Sequence, residues 1–169
     1  FLELGTPISI PKKTLLASPG QLVNKAYFLK SGIIRHYNVR EHQQFTKNFI
    51  RGPRFMLPSL TNFFLETPSM IFCEALTDLE AVEWNRDQLY EFANQHPKLY
   101  KFLLRSVVSA FHGKEMKEIA LNQLSAQQRY QQFLKEFPLL VSEVPDQYIA
   151  SYLGMRPETL SRIRAKRNS

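Results

Sequence analysis

A single glycine, Gly154, restricts this chain more than any other residue, because two short helical segments meet there. The segment before it carries Ile149, Ala150 and Leu153 toward one side. Glycine takes the positive φ that ends a helix and turns the chain. Met155 fills the corner, and Pro157 sits where a second helix begins, its φ preset and no amide hydrogen left over. Leu160 and Ile163 give that second helix a buried edge at i, i+3 spacing. Ala150 is small where the helices cross, Gly154 follows it by four and Leu160 follows Gly154 by six. This is the spacing of a helix-turn-helix, which sets its second helix against a DNA major groove.

The outward face of the second helix fits that reading. Glu158 and Arg162 are four apart and share a face. Arg pairs with guanine O6/N7, and Glu accepts from cytosine N4. Arg156, Arg162, Arg164, Lys166 and Arg167 surround them, a density suited to phosphates. A solvated basic helix end, matched only to its own dipole, is the plainer alternative. Net charge is +7 over 169 residues, which favours nucleic acid or an acidic membrane surface. One cysteine excludes an intramolecular disulfide framework and a four-thiolate cluster, and points to a reducing, cytoplasmic location. No apolar run approaches the roughly 20 residues that span a bilayer. The start, Phe1-Leu2-Glu3-Leu4-Gly5, has no initiator Met and no signal-peptide layout, so residues are expected before Phe1.

Residues 1 to about 84 read as β. Turn signals recur at Pro11-Lys12-Lys13, Ser18-Pro19-Gly20, Ser31-Gly32, Arg51-Gly52-Pro53 and Thr77-Asp78. Ala26–Lys30 and Ile33–Val39 are expected to flank Ser31-Gly32 as a hairpin, Phe45–Ile50 to form a further strand, and Ile71–Ala75 and Leu79–Trp84 to pair across Thr77-Asp78. Many short strands with regular turns describe a sandwich or a small rolled barrel. Between them, Pro53 to Met70 is apolar and proline-broken, with room for one short helix near Ser59–Phe64; it lines a pocket or covers the barrel. Asn85 with Gln88 is in capping-box register for a short helix to about Asn94. Pro97 opens a longer one to about Leu121, whose apolar face (Leu99, Leu103, Leu104, Val107, Val108, Phe111) is broader than one packing surface requires. Either it forms a dimer seam or both faces pack within one subunit. A third helix opens near Ser125 and carries Tyr130, Phe133 and Leu134.

This order of parts resembles the Crp–Fnr family of transcription regulators. Tyr27-Phe28-Leu29-Lys30-Ser31-Gly32-Ile33-Ile34-Arg35 is similar to the family's entry into a β-roll. Glu74-Ala75-Leu76-Thr77-Asp78-Leu79-Glu80 resembles its final hairpin, and Ile149 to Arg164 its helix-turn-helix. The resemblance implies an α+β chain: a double-stranded β-helix (a cyclic-nucleotide-binding-like β-roll effector domain) over residues 1–96, a dimerisation helix over 97–121 and a DNA-binding domain over 122–169. It implies base reading by Glu158 and Arg162, and phosphate or positioning contacts by Gln147, Arg156, Thr159, Arg164, Lys166 and Arg167. Pro157 replaces the first member of the family's usual Arg-Glu…Arg trio. Arg156 stands at the usual hydroxyl cap, where, having no acceptor, it reaches a phosphate instead. The family's hairpin wing after the reading helix is expected to be missing, with Lys166-Arg167 taking its contacts.

The ligand site departs from the family's cyclic-nucleotide binders. Those carry a Gly-Glu pair after an aromatic residue and an Arg after a Pro; here Phe55 is followed by Met56-Leu57 and Pro68 by Ser69-Met70. A cyclic phosphate without its Arg loses a charge-assisted pair of about 1.5–3 kcal/mol, so tight cyclic-AMP binding is not expected. Phe55, Leu57, Ser59, Phe63, Phe64, Ser69 and Met70 are the candidate lining of an apolar effector pocket, unless they fill the space themselves. Leu103, Val107, Ala110 and Phe111 are the candidate dimer contacts. Cys73 reads as a small buried residue, and His36, His42, His96 and His112 have no metal-ligand spacing, so no metal, cofactor or catalytic residue is assigned. The expected partners are a palindromic double-stranded DNA operator, a second copy of the chain and, as a further candidate, RNA polymerase. Two other classes fit less well: a ligand-sensing β module whose helical end docks a protein, and a cupin-like enzyme, which lacks its His-x-His constellation.

Overall fold

The computed structural model describes residues 2–168, the side chains of Arg167 and Asn168 excepted. After a 3-10 turn at Leu2–Leu4 come β1 (Thr6–Ile10), β2 (Leu15–Ala17), β3 (Lys25–Ser31), β4 (Ile33–Arg40), β5 (Gln43–Arg51) and β6 (Arg54–Met56). Helix α1 (Leu60–Leu65) precedes β7 (Phe72–Ala75) and β8 (Leu79–Asn85), and the rest is helical: α2 (Arg86–Gln95), α3 (Pro97–Gln123), α4 (Ala126–Glu136), α5 (Leu140–Glu143), α6 (Asp146–Tyr152) and α7 (Pro157–Asn168). The chain divides into two compact units. One runs through Asn38 and resumes over Lys47–Ser109; the other joins Val39–Thr46 to the chain from Ala110 onward.

In the first unit two four-stranded antiparallel sheets have the orders β1-β8-β3-β6 and β2-β7-β4-β5. Here the strand pairing differs from the sequence expectation. Ser31-Gly32 and Thr77-Asp78 are not hairpin turns. β3 pairs with β8, and β4 with β7, so both dipeptides are corners at which the chain leaves one sheet for the other. The two corners lie against each other: Ile33 N–H donates to Thr77 Oγ1 at 2.9 Å, and Leu76 N–H to Ile33 O at 2.8 Å. Gly32 is required there. Its φ is 97°, and a Cβ would stand 2.5 Å from Asp78 O. A corner and a hairpin use the same turn residues, which is why the sequence alone did not separate them. The antiparallel, two-sheet roll is the expected double-stranded β-helix.

The roll's interior is Ile10, Ala17, Tyr27, Leu29, Ile34, Met56, Cys73, Ala75, Leu79 and Ala81. His36 also lies buried, directly across from Cys73. A second cluster joins Ala26, Leu57 and Phe63 to Leu89, Ala93, Leu99 and Leu103, so α1, α2 and the start of α3 share one core with the segment after β6. Asn62, buried in α1, accepts from Val23 N–H at 2.7 Å and donates to Thr67 O, tying the proline-broken segment down. The expected Asn85–Gln88 cap is present, with Asn85 N–H donating to Gln88 Oε1 at 3.0 Å.

In the second unit α4 begins with a capping box: Gln128 N–H donates to Ser125 Oγ (3.3 Å) and Ser125 N–H to Gln128 Oε1 (2.9 Å). The tip of the β4–β5 hairpin turns through Glu41 and His42, both at positive φ. It rests on α6, where Ser151 Oγ accepts from Thr46 N–H (2.9 Å) and donates to Gln44 O (3.0 Å). Lys117 of α3 donates to Thr46 O at 3.0 Å while its Nζ sits 3.9 Å from the centre of the Tyr152 ring.

Candidate nucleic-acid interface

Helix α6 buries Ile149 and Ala150 and ends in a Schellman motif. Met155 N–H donates to Ala150 O at 3.0 Å, and Gly154 N–H to Ser151 O at 3.2 Å, with Gly154 at φ 63°. A Cβ on Gly154 would lie 2.7 Å from Leu121 Cδ2, so both backbone conformation and space favour glycine. Arg129 of α4 braces this turn. Its Nε donates to Leu153 O (2.8 Å), Nη1 to Leu124 O (2.6 Å) and Nη2 to Gly154 O (3.5 Å), satisfying carbonyls at the ends of two helices. Sequence reasoning missed Arg129; nothing in its local pattern separates it from other surface arginines.

Helix α7 starts with Thr159 and Leu160 N–H donating to Arg156 O (3.0 and 3.2 Å). Leu160 is fully buried and Ile163 half-buried. Glu158, Arg162 and Lys166 are exposed on α7, Arg156 is exposed just before it, Thr159 is half-buried, and Gln147 is exposed in the first turn of α6. The Arg167 side chain, an expected phosphate contact, lies outside the described residues.

Arg164 departs from its expected phosphate role. It stands one turn after Leu160 on the inward face. Its Nη1 donates to both carboxylate oxygens of Asp146 at 2.7 Å, and its Nε to Tyr130 Oη at 3.0 Å. In this arrangement its Nη1 and Nε are both held by inward partners. Tyr130 is buried in α4, and Asp146 opens α6. Below them Phe133, Phe137 and Tyr152 form a ring cluster at 5.4–6.1 Å; burial, then Glu136, raises the Tyr152 phenol above its ordinary range.

The candidate effector residues do not share one surface. Leu57, Ser59, Phe63 and Ser69 are buried. Leu57 and Phe63 belong to the α2–α3 core, and Ser69 Oγ donates to Ile71 O at 2.8 Å. Phe55 sets its ring edge-on to Phe102 at 5.7 Å. Phe64 is partly exposed and Met70 is 82% exposed, so Met70 lines no interior. The dimer candidates also divide. Leu103 is a correction: it faces inward with Leu99, into its own subunit's core. Val107 is half-buried, while Ala110 and Phe111 are exposed. Leu104 and Val108, not named among the candidate dimer contacts, are exposed at helical spacing from Phe111. On a helix, a one-residue offset turns the stripe by about 100°.

A roll of two antiparallel sheets, a long helix and a helix-turn-helix are the parts of a Crp–Fnr-type chain, and in fold this chain is of that type. No family model matches it. An anaerobic regulatory protein of Haemophilus influenzae is 26% identical over 170 residues, 91% of this chain and 63% of that protein. The protein of the same name in Pasteurella multocida is 25% identical over 170 residues, 91% and 60% respectively. The chain thus spans less than two thirds of the length of these relatives. Among solved structures, FixK2 from Bradyrhizobium japonicum superposes with a TM-score of 0.81 at 20% identity, over 96% of this chain and 83% of that one. A CooA mutant from Carboxydothermus hydrogenoformans gives 0.77 at 16%, over 98% and 77%. A CRP/FNR-family transcriptional regulator from Thermus thermophilus gives 0.71 at 18%, over 95% and 84%.

Proposed function

We propose that the chain is a sequence-specific regulator of transcription that binds double-stranded DNA as a homodimer. The observation that carries this reading is the exposed pair Glu158 and Arg162 on a helix whose inward face and entry turn are both fixed by the fold. Glu158 and Arg162 read base edges; Arg156, Lys166, Thr159 and Gln147 hold phosphates. The exposed stripe Leu104, Val108 and Phe111 on α3 is the dimer seam. Two copies then place α7 in successive major grooves about 34 Å apart, and the operator is a palindrome. RNA polymerase is the natural further partner of such a regulator, and the cytoplasm its location. Among the described residues no helix is long and apolar enough to cross a membrane. The β-roll is the effector domain, without a cyclic-AMP site.

Selection of the purified chain on random duplex DNA tests this. The expected result is a two-fold symmetric motif with half-sites one helical turn apart. Arg162→Ala should cost about 1–3 kcal/mol and relax one base pair per half-site, whereas Lys166→Ala should weaken all sequences alike and lower the salt slope. Equal losses for both variants on every sequence would refute specific reading.

A further inference from the structure

The inward commitment of Arg164 has a consequence for how α7 reads DNA. On the buried edge of α7, Leu160 is followed one turn later by an arginine, where continued apolar packing would require another aliphatic side chain. The arginine is not there for solvent. Its side chain is only 26% exposed, and Nη2 is buried with no hydrogen-bond partner among the described residues. Nη1 meets both oxygens of Asp146, Nε meets the Tyr130 hydroxyl, and the guanidinium carbon stands 5.6 Å from the Tyr130 ring centre. Through one side chain, α7 is therefore tied to the first turn of α6 and to the middle of α4.

We infer that Arg164 is a positioning residue: with Asp146 and Tyr130 it fixes the angle and rotation of α7, and so determines how well Glu158 and Arg162 discriminate base pairs. Leu160, fully buried, and Ile163, half-buried, pack α7 through apolar contacts, which define rotation about the helix axis less sharply than directed hydrogen bonds do. A planar guanidinium with fixed donor directions defines it, which a lysine at the same place cannot do. Arg162 lies two residues before Arg164, so rotation of α7 at Arg164 moves Arg162 laterally across the groove. Bidentate base contacts tolerate little such movement.

This inference rests on the DNA-reading proposal, and the two are tested together but fail separately. The full chain is first selected on random duplex, and the affinities for the selected motif and for a scrambled duplex are then measured across a salt series. Arg164→Lys keeps the charge and loses the planar fork; Asp146→Asn weakens the pair without removing a cation; Tyr130→Phe deletes one hydroxyl and keeps the ring. Each should lower the ratio of motif to scrambled affinity, by about tenfold for Arg164→Lys, with the salt slope on scrambled DNA unchanged. The Asp146→Asn/Arg164→Lys double variant should lose no more than the worse single one. Tyr130→Phe guards against misfolding of the charge variants, because its core volume is preserved. If Asp146→Asn instead tightened scrambled binding and steepened its salt slope, Arg164 would be a held-back phosphate contact and the positioning role would be wrong. Full discrimination by all three variants overturns it as well. A wild-type chain that selects no motif overturns the DNA-reading proposal, and this inference with it.

Discussion

Replacing Gly154 by alanine tests whether the turn of the helix-turn-helix is built as described. At φ 63° an L side chain pays about 1–2 kcal/mol for the left-handed region. The new Cβ also lies 2.7 Å from Leu121 Cδ2. That atom is the end of a flexible side chain on α3, so it moves rather than blocks, at about 0.5–1.5 kcal/mol for a disfavoured rotamer. Against these stands the smaller conformational freedom of alanine in the unfolded chain, about 0.4–1 kcal/mol in the stabilising direction. The net is about 2 kcal/mol, near thirtyfold in the local opening equilibrium. Hydrogen exchange at the Met155 and Gly154 amides, which bond to Ala150 O and Ser151 O, reads that opening directly. The loss in a Leu121→Ala background should fall to about 1 kcal/mol, because the rotamer cost drops out and the φ cost less the unfolded-chain offset remains. Gly154→Asn should lie between glycine and alanine, since Asn tolerates this region. Unchanged protection in Gly154→Ala would refute the Schellman assignment, and an equal loss in both backgrounds would refute the steric share.

Three further outcomes are expected. Burial lowers the His36 imidazole to about 4 from its ordinary 6.5; the unfolded chain takes up a proton first as pH falls, so stability is complete above pH 6.5 and declines toward pH 4 by up to about 3 kcal/mol. Urea unfolding at stepped pH should show this slope flattened in His36→Gln, and parallel curves would contradict it. Ser125→Ala removes the α4 capping box and should cost about 1 kcal/mol, read as a lower melting temperature. Phe111→Glu puts a charge on the exposed α3 stripe and should shift the chain toward monomer in sedimentation, while Leu103→Ala should instead lower stability by about 2–5 kcal/mol as an internal cavity. If Leu103→Ala dissociated a stable dimer without loss of fold, the assignment of the two faces would be reversed.

What the sequence made legible follows from the range of each interaction. Helix ends are local, so the Asn85–Gln88 box stands where residue spacing puts it, and α4 opens directly after Ser125 as expected. The stop at Gly154 and the start at Pro157 are equally local. Sheet membership is not. Ser31-Gly32 bends the chain in the same way whether the next strand returns beside the last or passes to another sheet, and only partners some 45 residues away decide it. Leu103, expected among the dimer contacts, turned inward for a related reason. Leu103 and Leu104 are equally apolar, and which of them faces inward is set by Phe63 and Leu89, from other elements. Of the candidate effector residues, Leu57 and Phe63 share a core with Phe55 against it, whereas Met70 faces outward; such a division depends on tertiary partners that periodicity does not record.

Arg164 shows where charge counting stops being informative. In sequence it is one of five cations in and beside α7, all equivalent in a sum of charges. In the fold it differs from Arg156, Arg162 and Lys166, because its charge is already spent on Asp146. Salt dependence counts only cations that displace counterions from phosphates, at about 0.9 in the log–log slope for each. On the proposal that Arg162 reads bases, Arg156 and Lys166 are the described cations left for phosphates in this region. Lys166→Ala should therefore lower the slope by about 0.9 per bound subunit and Arg164→Lys by none. A basic residue inside a reading helix can thus act on specificity while contributing nothing to electrostatic affinity, and its hydrogen-bond geometry, rather than its charge, distinguishes the two.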